Sequence, residues 1–268
     1  MRKIVSLAAL FFIAYLPPTP ASPAETRQDK GKRLVFEALE ALGGKAFREM
    51  QDRVETGRAY SFYNREISGL SIAHFYTHYL PPVAGKVAVR ERQAFGKEEY
   101  MSVLFREDGA WEITYRGARP LEDERFANYQ DSTLHNVLYI LRQRLDEPGL
   151  SFYAQDSDFF EHRPVNIVDI TDAQDRTVTV YFDQSSKLPV RQRFRRRNQE
   201  YKDFDTEVTQ FAKWRDVGGG AKWPFDIVRE RNGEKIFELY SESVEINRSL
   251  PESMFSLPAN IKILPKAK

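Results

Sequence analysis

The stretch TEVTQFAKWRDVGGGAKWPFDIVRERNGEKIFELYSESVEI, residues 206–246, decides the fold class. Three runs rich in β-branched and aromatic residues, 206–214, 222–229 and 235–246, are separated only by the turn formers of 216–220 and by Asn232-Gly233. Asn-Gly supplies the positive φ angles of a tight hairpin turn. Connections this short leave no room for a crossover helix, so the neighbouring strands must run antiparallel. Side chains alternate between the faces of a strand, which puts Trp223, Phe225 and Ile227 together on one side.

The same period extends outward. Towards the N-terminus come 165–170, 177–182 and 189–195, the last two joined by 183–187. Earlier runs at 58–63, 71–80, 86–94, 100–106 and 111–116 are separated by 64–69, 81–85, 95–99 and Asp108-Gly109. Helical spacing occurs in two places. Val35, Ala38, Leu39 and Leu42 recur at i, i+3, i+4 and i+7 before Gly43-Gly44, with a short second helix over 45–51; Leu134, Val137, Leu138, Leu141 and Leu145 form a stripe ended by Pro148-Gly149. Strands do not alternate with helices as a parallel doubly wound sheet requires. The expected fold is α+β: a strongly curled antiparallel sheet, an unclosed β-barrel of about eleven strands, with a few helices covering its concave side.

Composition narrows the function. The 40 Lys and Arg balance 39 Asp and Glu, so the chain lacks the bulk basic excess of a nucleic-acid-binding protein. With 13% aromatic residues it is too rich in Phe and Tyr for a disordered chain. The absence of Cys excludes disulfides, thiolate metal sites and a cysteine nucleophile. Arg2 and Lys3 precede an apolar stretch at 4–16 that ends in small residues. This reads as a secretory signal over 1–24, cleaved after Ala24 with Ser22 at the other small position, or else after Ala21. Residues 25–268 are then one periplasmic domain.

The chain has no GxSxG elbow, HExxH, P-loop, GxGxxG or calcium loop, so no catalysis and no cofactor are expected. His74 and His78 have the helical spacing of a metal pair but belong to a strand, where ~3.3 Å per residue separates them too far to share an ion. His135 and His162 stand alone, and Asp156, Asp158 and Glu161 read as an acidic turn; no metal is expected. Arg191, Arg193, Arg195 and Arg197 alternate along one strand, either as a solvated face or as a docking row for anionic lipid headgroups or an acidic partner. Large apolar residues recur on single strand faces: Met101, Val103 and Phe105; Val178, Val180 and Phe182; Trp223, Phe225 and Ile227. These exceed what two helical stripes can cover. They are candidates for lining a cavity, with Val35, Leu39, Leu42, Leu134, Leu138 and Leu141 on the helices that would act as its lid.

Several of these segments carry a family likeness. Tyr181-Phe182-Asp183, then residues 187–191 (KLPVR), 219–224, Ile246-Asn247, Leu250-Pro251, Met254-Phe255 and Pro258, with 39–44 and Phe47 at the start, resemble the LolA-like outer-membrane lipoprotein-sorting group and its periplasmic lipoprotein carriers. The resemblance implies an unclosed barrel around a hydrophobic cavity, lidded by helices, that accepts acyl chains. Residues 122–162 match nothing in that pattern. Three readings follow: a periplasmic carrier or binding protein for lipid or lipidated protein, with a partner at the inner or outer membrane; an envelope interaction or regulatory protein on the same fold; and an enzyme, which only a cleft of convergent ionisable groups would support.

Overall fold

The computed structural model describes residues 24–198 and 200–266, so the expected signal segment lies outside the described residues except for Ala24. Fourteen strands form one sheet: β1 (Asp52–Tyr63), β2 (Glu66–Tyr79), β3 (Val89–Phe95), β4 (Met101–Arg106), β5 (Gly109–Thr114), β6 (Gly117–Pro120), β7 (Ser151–Ala154), β8 (Asp158–Phe160), β9 (Arg163–Thr171), β10 (Thr177–Asp183), β11 (Pro189–Arg197), β12 (Phe204–Gly218), β13 (Ala221–Arg231) and β14 (Glu234–Ile246). Their order is β6-β5-β4-β3-β2-β1-β14-β13-β12-β11-β10-β9-β7, with β8 added beside β9. All pairings are antiparallel. The end strands β6 and β7 do not pair with each other, and the barrel stays open. The eleven strand runs of the sequence are all present; β6, β7 and β8 are additional and short.

Four helical segments matter for the site: α1 (Arg27–Ala41), α2 (Lys45–Arg48), α3 (Asp123–Leu134) and α4 (Val137–Tyr139), the last running on into a π-helical turn, Ile140–Arg144. Thr26 caps α1 by accepting from the Asp29 amide at 3.0 Å, and Gly43 and Gly44 take positive φ angles just beyond its end. The apolar stripe of α1 packs with Phe47, Val137, Ile140 and Leu141 against inward-facing Val168, Ile170, Val178, Val180 and Phe182. Fully burying each such side chain contributes about 1.5–3 kcal/mol, and this core fills one end of the concave side. Gly31 allows the close approach: a Cβ there would lie 2.9 Å from the Phe152 carbonyl, so α1 covers the edge strand β7 at backbone contact.

The other sheet edge is closed by the C-terminal segment. Ala118 on β6 donates to the Lys262 carbonyl at 2.9 Å and accepts from the Leu264 amide at 2.8 Å, satisfying an exposed edge. Phe255 is buried on the outer face with Leu104, Ile113 and Ala118. The residue pairs Leu250-Pro251 and Met254-Phe255, part of the family likeness, thus belong to an outer clamp on the first half of the sheet.

Candidate functional site

Where the core of α1 ends, the concave side stays open. The inner-facing residues of β1 to β4 and of β11 to β14 surround a cavity of about 650 Å³. One part of its wall is apolar: Phe75, Phe95, Val103, Phe105, Phe211, Trp223, Ile227, Phe237 and Leu239. The rest is polar and charged, which corrects the expectation of a purely hydrophobic cavity. Arg53, Glu55, Thr77, Glu91, Gln93, Gln192, Arg196, Glu207, Thr209, Arg229 and Arg231 point into the same space.

The candidate lining residues divide accordingly. Val103, Phe105, Trp223 and Ile227 border the cavity. Val178, Val180, Phe182 and Phe225 belong to the filled core, because the three on β10 lie where the helices already cover the sheet. Met101 stands at the start of β4 and is 53% exposed.

The cover is also different. Val35, Leu39, Leu42 and Leu141 are buried in the core, Leu134 packs with Val89 and Tyr139, and of the six candidate lid residues Leu138 alone borders the cavity. The roof is α3, which supplies Arg125, Asn128, Tyr129, Ser132 and Thr133. Sequence periodicity misses it because only one of its residues, Leu134, is buried and its face towards the cavity is polar. The signal that could have marked α3 is Phe126 with Tyr129, both packed against the small cluster of Phe105, Ala110 and Leu121.

The helices after α3 are fixed in place. Asn136 caps α4 by accepting from the Leu138 amide at 2.8 Å, and Gln192 accepts from the Val137 amide at 2.8 Å. The Gln143 amide group donates to the Leu80 and Ala88 carbonyls at 2.9 and 2.8 Å. Arg144, 3% exposed, pairs with Asp172 at 2.6 Å and Glu147 at 2.7 Å and donates to the Leu134 carbonyl. Such buried, satisfied polar contacts are costly to break.

By contrast α3, tied at its end by Arg144 through the Leu134 carbonyl and at its start by the Asp123–Lys266 pair, meets the cavity wall through two contacts. The Tyr129 ring stacks on Phe105 with centroids 3.7 Å apart and planes within 10°. Arg196 bonds Asp131 at 3.0 Å, the Asn128 carbonyl at 3.3 Å and Ser132. Burial opposes ionisation of Asp131, but His135 and Arg196 together outweigh it and hold the carboxyl below its usual range. His135, stacked on Phe194 at 4.2 Å, marks the end of α3, and Asn136 after it is extended. One extended residue, Asn136, thus separates the roof helix from the more heavily bonded base and is the place for a hinge.

The polar wall is a set of linked charges. Arg53 pairs with Glu55 at 2.8 Å, donates to Thr77 at 3.0 Å and lies 3.9 Å over the Trp223 ring, whose Nε1 donates to Glu55 at 3.3 Å. Glu207 is shared by Arg196 at 3.3 Å and Arg231 at 2.8 Å. Burial pushes the Glu91 carboxyl above its ordinary range, against donation from Gln93 and the field of Arg53. Burial likewise lowers the Arg229 guanidinium and raises the Tyr129 hydroxyl well above its ordinary value.

Other candidates lie elsewhere. Arg191, Arg193, Arg195 and Arg197 are on the outer face of β11, opposite Arg196; Arg191 covers Phe160 and Tyr181, and Arg195 lies 4.5 Å over Phe204. His74 bonds Thr56 at 3.1 Å and His78 lies against Phe255, both on β2. Asp156 pairs with Arg27 at 3.0 Å, Asp158 bonds the Phe159 amide at 2.8 Å, and Glu161 and His162 form the β8–β9 turn with positive φ. Among the described residues, no three His, Asp or Glu side chains gather as a metal site.

No protein-family model matches the sequence, and no curated protein matches it either. Solved structures do share its fold. An outer membrane lipoprotein-sorting protein domain from Vibrio parahaemolyticus matches with a TM-score of 0.57 at 12% identity, over 85% of this chain and 97% of that one. A DUF1329 family protein from Desulfovibrio piger matches with a TM-score of 0.58 at 11% identity, over 86% and 98%. The curled, open sheet is thus a fold shared with these two solved structures.

Proposed function

We propose that this protein is a periplasmic carrier or binding protein for a lipid or a lipidated protein, and that it takes an acyl chain into the cavity beneath α3. The supporting observation is the cavity itself: about 650 Å³ of space, with an aromatic and aliphatic part to its wall, under a helix that meets that wall through one ring stack and one arginine. That volume lies within the ~300–1,000 Å³ of small-molecule sites. Each methylene buried contributes ~0.8 kcal/mol, so a chain of a dozen carbons gains on the order of 10 kcal/mol before ordering costs. A roof of one short helix opens without disturbing a strand ladder, which is what reversible loading requires.

Ionisable groups do converge on the cavity, yet their arrangement favours binding over catalysis. Arg53 is paired with Glu55, and Glu207 is engaged by two arginines, inside the wall. The Arg196 that serves this wall also holds the roof. The test is extraction of the natively purified protein and mass spectrometry of what it carries. A stoichiometric acyl-containing molecule supports the reading; protein purified without any, and unable to take one up, refutes it and leaves an envelope interaction protein on the same fold.

A further inference from the structure

Buried polar groups are almost always hydrogen-bonded, and an unmade bond costs about 1–3 kcal/mol. The cavity departs from that rule in one direction. The Tyr129 hydroxyl on the roof and Nε of Arg53 on the wall are buried donors with no hydrogen-bond partner among the described residues. The Arg229 guanidinium makes no hydrogen bond and no ion pair there either, although neighbouring Arg196 and Arg231 both reach Glu207. Among the described residues, none of the buried side-chain atoms without a partner that border the cavity is a carboxylate or amide oxygen. Arg53, Tyr129 and Arg229 also share one electrostatic neighbourhood, since each interacts with the charge of Glu91.

Charge points the same way. Five arginines border the cavity, at positions 53, 125, 196, 229 and 231, against three carboxylates, Glu55, Glu91 and Glu207. One carboxylate is taken by Arg53 and another by two arginines. The third, Glu91, forms no ion pair with either Arg53 or Arg229, whose charges it feels. Arg229 stands next to the apolar wall: it pairs across the ladder with Phe237 on one side and Thr209 on the other, and Ile227 precedes it on the same face. The apolar wall therefore runs up to a guanidinium that has no ion pair of its own among the described residues.

Resting on the acyl-binding reading, we propose that the ligand is a single-chain amphiphile with an anionic head, a carboxylate or phosphate, whose oxygens bond Arg229 while its chain lies along Ile227, Phe237, Leu239 and Phe75. The size agrees with one chain. At the ~30 Å³ that one water occupies in the liquid, the cavity holds on the order of twenty such groups, enough for one chain and its head but not for two or three chains. Tyr129 adds a donor from the roof, so that an occupied head group would hold α3 closed. A planar guanidinium suits either oxyanion through paired hydrogen bonds.

The experiment is calorimetric titration of delipidated full-length mature protein with probes of one chain length: myristate, myristoyl lysophosphatidate, the neutral monomyristoylglycerol, and dimyristoyl phosphatidate. Both anionic single-chain probes should bind at least tenfold more tightly than the neutral one; whichever is tighter identifies the head as carboxylate or phosphate. Arg229→Gln should remove that preference, bringing the anionic probes to the affinity of the neutral one. Arg229→Lys should keep part of it, and Arg193→Gln, the same charge change on the outer face, should keep all of it. Equal binding of neutral and anionic probes overturns the head-group assignment while the acyl-binding reading stands. Equally tight binding of the two-chain phosphatidate overturns the single-chain assignment. Failure of every probe to bind overturns the acyl-binding reading itself.

Discussion

Replacing Arg196 by Met should loosen α3 without unfolding the sheet. The guanidinium is 11% exposed and joins α3 to β11 and β12 through Asp131 at 3.0 Å, Glu207 at 3.3 Å, the Asn128 carbonyl at 3.3 Å and Ser132. Glu207 keeps Arg231 and Asp131 keeps His135, so neither carboxylate is stranded. What is lost is mainly one charge-assisted bond and two bonds to neutral groups. Partly offset by water reaching an opened roof, this amounts to about 2–3 kcal/mol of the free energy that closes the helix. At tenfold per 1.4 kcal/mol, amide exchange in α3 should accelerate roughly 30- to 150-fold. Hydrogen exchange followed by mass spectrometry reads this directly: peptides from 123–134 should lose protection, while those from α4, its π-helical turn and β10 change little. Unchanged α3 protection, or the same loss everywhere, would refute the hinge and the reasoning behind it.

Four other outcomes follow from the same structure. Glu91 has a folded pKa above its unfolded value, so its ionisation destabilises the fold at neutral pH and ceases to matter once both states are protonated. Glu91→Gln should therefore melt at a higher temperature than the parent at pH 7, with the gap narrowing as the pH falls through the raised folded value and gone below ~4.3, the unfolded glutamate value; a gap that widens on acidification contradicts this. Arg144→Met strips a 3% exposed cation from Glu147 and Asp172, and urea unfolding should show a loss of about 3–5 kcal/mol, far more than a surface charge would cost. The Asp172 carboxyl, held down at about 2 by Arg144 and Arg176 despite its burial, contributes stability that is present above pH ~3.9 and lost as the pH falls through 2. Gly31→Val places a side chain 2.9 Å from the backbone of Phe152 and Ala154, and should destabilise by about 1–3 kcal/mol while raising exchange in β7; a neutral effect would show that α1 has room to shift.

The strand ladder was legible because hydrophobic alternation and turn chemistry agree along most of the chain. Asn232-Gly233 closes the β13–β14 hairpin with positive φ at both residues, as its sequence requires. Where the two signals part, the reading falls short. β1 begins at Asp52, six residues before its apolar run, because Arg53 and Glu55 face inward as a pair instead of outward as charges. β2 reaches back to Glu66 on a hairpin whose Ile67 and Leu70 remain exposed, turned by Asn64-Arg65. β7 and β8 are four and three residues long, too short for periodicity to register. The charged half of the cavity was hidden for a related reason. Arg229 and Arg231 continue the face of Trp223 and Ile227 at period two, but polarity alone assigns such residues to solvent. The sheet's curvature, which no local pattern states, turns that face inward.

The most direct test of the central claim is titration of a fluorescent fatty-acyl probe into delipidated protein, in the parent and in Ile227→Trp. The substitution adds an indole to the floor of the cavity, beside the acyl path and at the margin of the core beneath α1. The parent should bind one probe saturably at micromolar concentration, and the variant, folded by circular dichroism, should bind at least tenfold more weakly. Absence of saturable binding in the parent, or equal affinity in the two proteins, would contradict the assignment of this cavity to an acyl chain.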